Sequence, residues 1–325
     1  MANVLVTGAA GFIASRVIEF LIADGHTVYG VDNMSHAYDV RMKEYRLGKL
    51  MQLPGFNFLK TDISLKESLQ EMTAFAPQTD AVINLAAMAG VRSSLEDPWG
   101  YVAVNTMGAL NMLEFCRQNQ VGKIVLASTS SLYGNEGKPP HVEDADTNHP
   151  LQPYAASKKG AEVMGHAYHH LFGIDVTVFR YFTVYGPAGR PDMVMFRFCQ
   201  WIAEGREVAV TGDGEQSRGF TYLDDIARGT ILGLKPLGYE VINLGGHEIA
   251  SVNQLVSTFE RKLGKKANIK HIDFHPADVL ENVANVTKAR ELLGWEPEFG
   301  LDEGIGRLVD WYLQERSWAK DIATP

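Results

Sequence analysis

The sequence predicts an α/β fold, a doubly wound parallel sheet with a second, smaller lobe towards the C-terminus. Three observations predict it. Short β-branched runs alternate with helix-length amphipathic segments through the first half of the chain. The β-branched runs are apolar without alternation and bounded by turn residues, as strands covered on both faces must be. After Tyr181 this rhythm breaks, and Gly and Pro accumulate over 183–191.

The first strand covers 3–7, and Val4-Leu5-Val6-Thr7 runs into Gly8-Ala9-Ala10-Gly11-Phe12-Ile13-Ala14. A helix over 12–23 starts at once. Further strands fall at 27–31, 56–60, 81–85, 123–127 and 174–181, with helical patterns at 64–75, 101–118 and 154–171 between them. Such alternation gives parallel neighbours joined by crossovers, a Rossmann-type domain. A helix at 193–203 and a glycine-containing loop at 211–214 follow, and 241–244 reads as a last strand returning to the large sheet. Helices at 252–263, 287–293 and 302–313 and a strand at 268–272 complete the chain. The expected division is 1–182 plus about 220–246 for the first domain, and about 183–219 plus 247–325 for the second. The second would cover the carboxyl ends of the strands, where ligands bind in such sheets.

A chain of 325 residues can bury a full core, and 46% hydrophobic with 21% charged residues is a globular composition. The net charge of -9, from 30 basic and 39 acidic residues, argues against nucleic acid or anionic membrane as a partner. The two cysteines, Cys116 and Cys199, lie in apolar helix-like stretches and read as buried reduced thiols. No apolar run is long enough to span a bilayer, and the N-terminal one belongs to the glycine turn rather than to a signal peptide. A cytoplasmic protein is expected, with no metal site.

Gly8 and Gly11 bracket a turn from strand to helix. Glycine lets the backbone approach a pyrophosphate, and the helix N-terminus favours its charge. The spacing is G-x-x-G-x-x-A, with Ala14 as the small residue that close helix–strand packing needs. Phe12 and Ile13 open that helix. Asp32 ends the second strand about 20 residues on, where a carboxylate accepts from adenosine ribose hydroxyls. Its charge would repel a 2′-phosphate, so NAD is expected over NADP. Asn33 follows it, while Asp62-Ile63 and Leu85-Ala86-Ala87, ending the third and fourth strands, would line the rest of the dinucleotide.

Tyr154 and Lys158 share one helix face, a turn apart. The strand before them ends in Ser128-Thr129-Ser130-Ser131, which delivers hydroxyls beside the pair. A free tyrosine has a pKa of about 10, too high for an efficient base, and the Lys158 ammonium with a nicotinamide cation would lower it. Thr129 would hold a substrate hydroxyl in line, which implies alcohol–ketone interconversion. Tyr45 and Lys49 have the same spacing but fall in a basic helix-like run and read as surface.

These residues, with Asn105 and Arg180-Tyr181-Phe182, resemble the extended short-chain dehydrogenase/reductase family of nucleotide-sugar enzymes. The resemblance implies a UDP-, GDP- or dTDP-sugar oxidised at a ring carbon, usually C4, by tightly held NAD, with Asn105 and Tyr181 on the cofactor side. Ser130-Ser131 stand where resembling dehydratases carry Asp-Glu and decarboxylases a nearby Glu. Hydroxyls cannot do that acid–base work, which points to an epimerase. The run Thr183 to Met193, Ala89-Gly90-Val91-Arg92 and Phe220 to Ile226 are similar to UDP-glucuronate 4-epimerases. That likeness implies Arg190 and Thr183 on the sugar carboxylate, with Arg92 a second candidate and Ser130 nearby. It also implies Arg218 on the diphosphate and Asp278 on the nucleotide ribose, although Gly219 and Ala277 replace a common Asp and Gly. UDP-glucose/UDP-galactose 4-epimerisation and UDP-glucuronate decarboxylation are the alternatives. The helices over 101–118 and 154–171 resemble those that pair subunits, so a homodimer is implied.

Overall fold

The computed structural model describes residues 1–134, 139–273 and 281–324. In chain order the first half is β1 (Asn3–Thr7), α1 (Phe12–Ala23), β2 (Thr27–Asp32), α2 (Arg41–Leu50), β3 (Phe56–Lys60), α3 (Ser68–Phe75), β4 (Ala81–Asn84) and α4 (Pro98–Tyr101). A π-helical stretch, Val102–Met107, leads into α5 (Gly108–Gln118), β5 (Lys123–Thr129), α6 (Pro153–Phe172) and β6 (Asp175–Tyr181). The second half is β7 (Thr183–Tyr185), α7 (Val194–Ala203), β8 (Glu207–Thr211), β9 (Ser217–Tyr222), α8 (Leu223–Leu232) and β10 (Tyr239–Leu244). It ends with β11 (Glu248–Ser251), α9 (Val252–Leu263), β12 (Asn268–Ile272), β13 (Glu281–Asn282), α10 (Thr287–Leu293) and α11 (Leu301–Ala319).

The main sheet has seven strands in the order β3-β2-β1-β4-β5-β6-β10, every pair parallel. Val4, Leu5 and Val6 are fully buried, as a strand covered on both faces requires. One face packs Val17, Ile18 and Leu21 of α1 with Ile226 and Ala227 of α8. The other packs Met72 of α3 with Met112, Leu113 and Phe115 of α5. The run at 241–244 does return to this sheet, as β10 beside β6. A smaller sheet, β11-β9-β13 with β7 also on β9, covers a separate core of Phe196, Trp201, Tyr222, Phe259 and Tyr312.

Sequence periodicity missed β7, β8, β9, β11, β13 and α8. The chain passes from β9 to α8 at Tyr222–Leu223 with no turn residue to mark the change. The basic run around Tyr45 is a surface feature only in part, with Lys49 exposed and Tyr45 half-buried. Helix α2 buries Met42, Lys43, Arg46 and Leu50, and the Tyr45 ring lies 5.0 Å from Trp318 and 6.0 Å from Trp311. Both cysteines are buried and free, and burial pushes both thiols up, away from reactivity. Among the described residues no helix is long and apolar enough to cross a membrane.

Candidate active site

The strand order reverses between β1 and β4, so a crevice opens at their carboxyl ends. Gly8 ends β1 with φ 71°, and a Cβ there would stand 2.8 Å from the Ala86 backbone. A Cβ on Gly11 would stand 2.7 Å from the Gly8 carbonyl oxygen. Main chain therefore forms this wall, and no side chain caps α1 above it, which leaves its first N–H groups for a ligand. The Thr7 hydroxyl donates to Asn84 Oδ1 (2.6 Å) and accepts from Ala86 N (3.1 Å), locking the ends of β1 and β4 together.

Asp32 is not the lone charge the sequence suggested. Its carboxylate accepts from Ala10 N (3.2 Å), Met34 N (2.7 Å) and Lys43 Nζ (3.2 Å), and Lys43 also donates to Ser35 Oγ (3.1 Å). A carboxylate offers about four acceptor positions, so little more than one is left for a ribose hydroxyl. Repulsion of a 2′-phosphate cannot rest on Asp32 alone, because Lys43 is buried against it. At the end of β3, burial alone would raise the Asp62 pKa, but donors from Asn33 (2.9 Å) and Ser64 (2.9 and 2.7 Å) win and hold it below the usual carboxylate range.

The crevice is a cavity of about 570 Å³. Every residue that the sequence assigned to cofactor, substrate or catalysis lines it, apart from Asn105, Arg92 and Asp278. Asn105 is buried behind the wall, where its amide accepts from Met88 N and donates to Met88 O and Ser157 Oγ, each at 2.9 Å. There it braces the wall. Arg92 precedes a 3-10 turn, Ser93–Leu95, and its charge acts on Arg197. Asp278 lies outside the described residues.

Helix α6 starts at Pro153, whose missing N–H is harmless at the first helical position, and ends on Gly173 with φ 68°. It therefore presents Tyr154, Lys158 and Glu162 on one stripe against the end of β5. Desolvation raises the Tyr154 pKa, while a hydrogen bond with Thr129 and the charge of Arg190 pull it back. Lys158, expected to acidify this phenol, donates to the Ala127 carbonyl (2.8 Å). Burial lowers the Lys158 pKa to about 8, although the charge of Glu162 opposes the fall. Glu162 is itself neutralised by Arg180 (3.0 and 2.9 Å) and accepts from Ser128 Oγ (2.6 Å), which fixes the strand end that carries Thr129. The Tyr101 ring lies edge-on to Tyr154, 5.9 Å between centroids.

The opposite wall comes from β7 and the loop that follows it. Thr183 opens β7, and Arg190 reaches the cavity from the loop before α7. Arg46, buried in α2, donates to Ala10 O (2.9 Å), Ala188 O (3.0 Å), Gly189 O (3.5 Å) and the Tyr38 hydroxyl (2.9 Å). Asn282 of β13 donates to Ser130 Oγ (2.9 Å). Sequence reasoning passed over Lys43, Gln152 and Asn282, all of which line the cavity. No local motif announces them, since each owes its place to a tertiary contact.

The model of the NAD dependent epimerase/dehydratase family matches residues 4–245. The UDP-glucuronate 4-epimerase of Thermodesulfobacterium geofontis is 52% identical over 324 residues, 99% of each chain. The crystal structure of UDP-glucuronic acid 4-epimerase from Bacillus cereus, in complex with UDP-glucuronic acid and NAD, matches with a TM-score of 0.89 at 35% identity, covering 96% of this chain and 99% of the other. UDP-glucose 4-epimerase from Thermotoga maritima, solved with UDP-glucose, gives 0.87 at 31% identity, with 97% and 99% covered. Agreement of this extent in both sequence and backbone settles the kinship, and the chain belongs to the NAD dependent epimerase/dehydratase family.

Proposed function

We propose that the protein interconverts UDP-glucuronate and UDP-galacturonate by NAD-dependent inversion at C4. The observation that carries this is the placing of Arg190 and Thr183 in the same cavity as Thr129 and Tyr154, with Ser130 and Ser131 where a carboxylate acid or base would otherwise act. The crevice suits a dinucleotide, because bare main chain forms its wall at Gly8 and Gly11, where a Cβ would collide with neighbouring backbone. Gly8, Gly11, Phe12 and Ile13 would hold that pyrophosphate. Asp32 and Lys43 would share the adenosine ribose, one accepting and one donating. Asp62, Ile63 and Leu85 to Ala87 would line the remainder. Held there, NAD would supply the hydride acceptor for C4 of the sugar and the hydride for its return.

Thr129 holds the C4 hydroxyl, and Tyr154 takes its proton as the carbon is oxidised. Lys158 keeps positive charge beside the reacting pair. The 4-keto sugar then turns about its diphosphate link and would accept the hydride on its opposite face, while Tyr154 returns the proton to the C4 oxygen. A carboxylate beta to that ketone tends to leave as carbon dioxide, so it must be held, and Thr183 with Arg190 supply the donors. Arg218 of β9, which lines the cavity, would meet the diphosphate. In this reading the segments 183–219 and 247–325 form the sugar-nucleotide lobe. Incubation of pure protein with UDP-glucuronate and separation of the nucleotide sugars tests it. UDP-galacturonate is the expected product, and UDP-pentose as the main product would refute the assignment.

We also propose a homodimer. Trp99, Val102 and Met107 on one helical run and Val163 on α6 are exposed, and together they supply the apolar face such pairing needs. Light scattering should return twice the chain mass, and a monomer would remove the proposal.

A further inference from the structure

Arg190 is gripped from several sides. Its Nε and Nη2 make a fork onto Asp192 at 3.1 and 2.5 Å, and Nη2 also donates to Ala89 O at 2.9 Å. The guanidinium lies 5.9 Å from the Tyr38 ring centre. The loop that carries it is fixed as well. Ala188 has φ 53°, a left-handed conformation for a residue with a Cβ, and it persists because Arg46 holds the carbonyls of Ala188 and Gly189. Among the described residues Nη1 of Arg190 has no hydrogen-bond partner. Arg190 lines the cavity and Asp192 does not, so the guanidinium stands between the cavity and its own counter-ion.

Inversion at C4 imposes a demand on that cation. The carboxylate rides on the ring, so each turn of the keto sugar must break its contacts and remake them elsewhere. Grip that exists only in the resting pose adds directly to the barrier of turning, tenfold in rate for each tenfold in affinity. A desolvated guanidinium with no counter-ion would grip an acid sugar hardest. The fork onto Asp192 already satisfies its Nε and Nη2 and cancels most of its charge, while leaving Nη1 to meet the sugar.

We propose that Asp192 is a built-in counter-anion that tempers the hold of Arg190 on the sugar carboxylate, so that the keto sugar can turn between its two reacting poses. This rests on the acid-sugar reading above. Asp192 touches neither sugar nor cofactor and acts through Arg190.

The test uses the NAD-loaded protein, calorimetric binding of UDP-glucuronate and UDP-glucose, and steady-state kinetics. Asp192→Asn keeps the shape and removes the charge. It should bind UDP-glucuronate about tenfold tighter and lose about tenfold in kcat, with UDP-glucose binding unchanged. Asp192→Glu, which keeps the charge, should stay within about threefold of the parent. Unchanged or weaker UDP-glucuronate binding in Asp192→Asn, tighter binding without loss of kcat, or equal tightening for UDP-glucose overturns the proposal. So does a Glu variant that behaves like Asn. If Asp192→Asn shows no cooperative thermal transition, Asp192→Ser takes its place under the same criteria. A parent protein that neither binds nor converts UDP-glucuronate sinks the acid-sugar reading itself, a result distinct from failure of the variants alone.

Discussion

Where β1 and β4 end, the cavity is walled by main chain; where the 186–193 loop closes it, the wall is made of paired charges. The first wall admits no added atom, since a methyl on Gly8 would overlap the Ala86 backbone. The second can exchange partners, because Arg190 holds Asp192 but has a donor to spare. The difference matches what each ligand does. A cofactor that stays in place calls for a fixed mould, while a sugar that turns over calls for contacts that can be released.

Tyr154→Phe should cause the largest loss, on the order of a thousandfold in kcat, because both half-reactions lose their proton carrier. Retained turnover would remove Tyr154 from the comparison altogether. Gly8→Ala strikes the rigid wall. With φ 71° and a Cβ at 2.8 Å from backbone, it should cost about 1–3 kcal/mol of stability and abolish the thermal stabilisation by NAD. A variant still stabilised by NAD would show that this wall yields. Arg190→Ala strikes the exchangeable wall and should weaken UDP-glucuronate by about 10- to 100-fold while sparing UDP-glucose. Equal loss for both sugars would make Arg190 a structural residue only.

A pH profile sharpens the contrast further. The Lys158 pKa is lowered to about 8 from 10.5 by burial, so the folded protein gives up this proton before the unfolded chain does. Stability should therefore rise as pH goes from about 8 to 10.5, since the unfolded state then binds more protons. Activity should move the other way, with kcat/KM falling about tenfold per unit above that value as the ammonium is lost. Lys158→Arg keeps its charge and should shift the alkaline limb upward. A limb that stays near pH 8 in that variant would assign it to another group.

The same contrast explains what could be read from residues alone. Gly8, Gly11, Asp32 and the ends of β3 and β4 are legible because main-chain sites need particular residues at fixed spacing along one stretch of chain. Tyr154 and Lys158 are legible because one helix turn sets their geometry. Arg190 emerged only through resemblance, since its loop has no periodicity. Lys43, Arg46 and Asp192 were silent. Arg46 serves carbonyls 36 residues before it and 142 after it, and a buried arginine in a basic run looks like any surface helix until the packing is known. Lys43 misled for the same reason, and with it went the simple electrostatic argument about Asp32.

Arg46 has one more consequence. A single guanidinium is shared between Ala10, in the turn that would seat the dinucleotide, and Ala188 with Gly189, in the loop that aims Arg190. Neither ligand can shift its own loop without disturbing a hydrogen bond that steadies the other. NAD affinity measured with and without a UDP-sugar should differ in the parent and lose that dependence in Arg46→Lys. Thermodynamic reciprocity then obliges the sugar to sense the dinucleotide by the same factor.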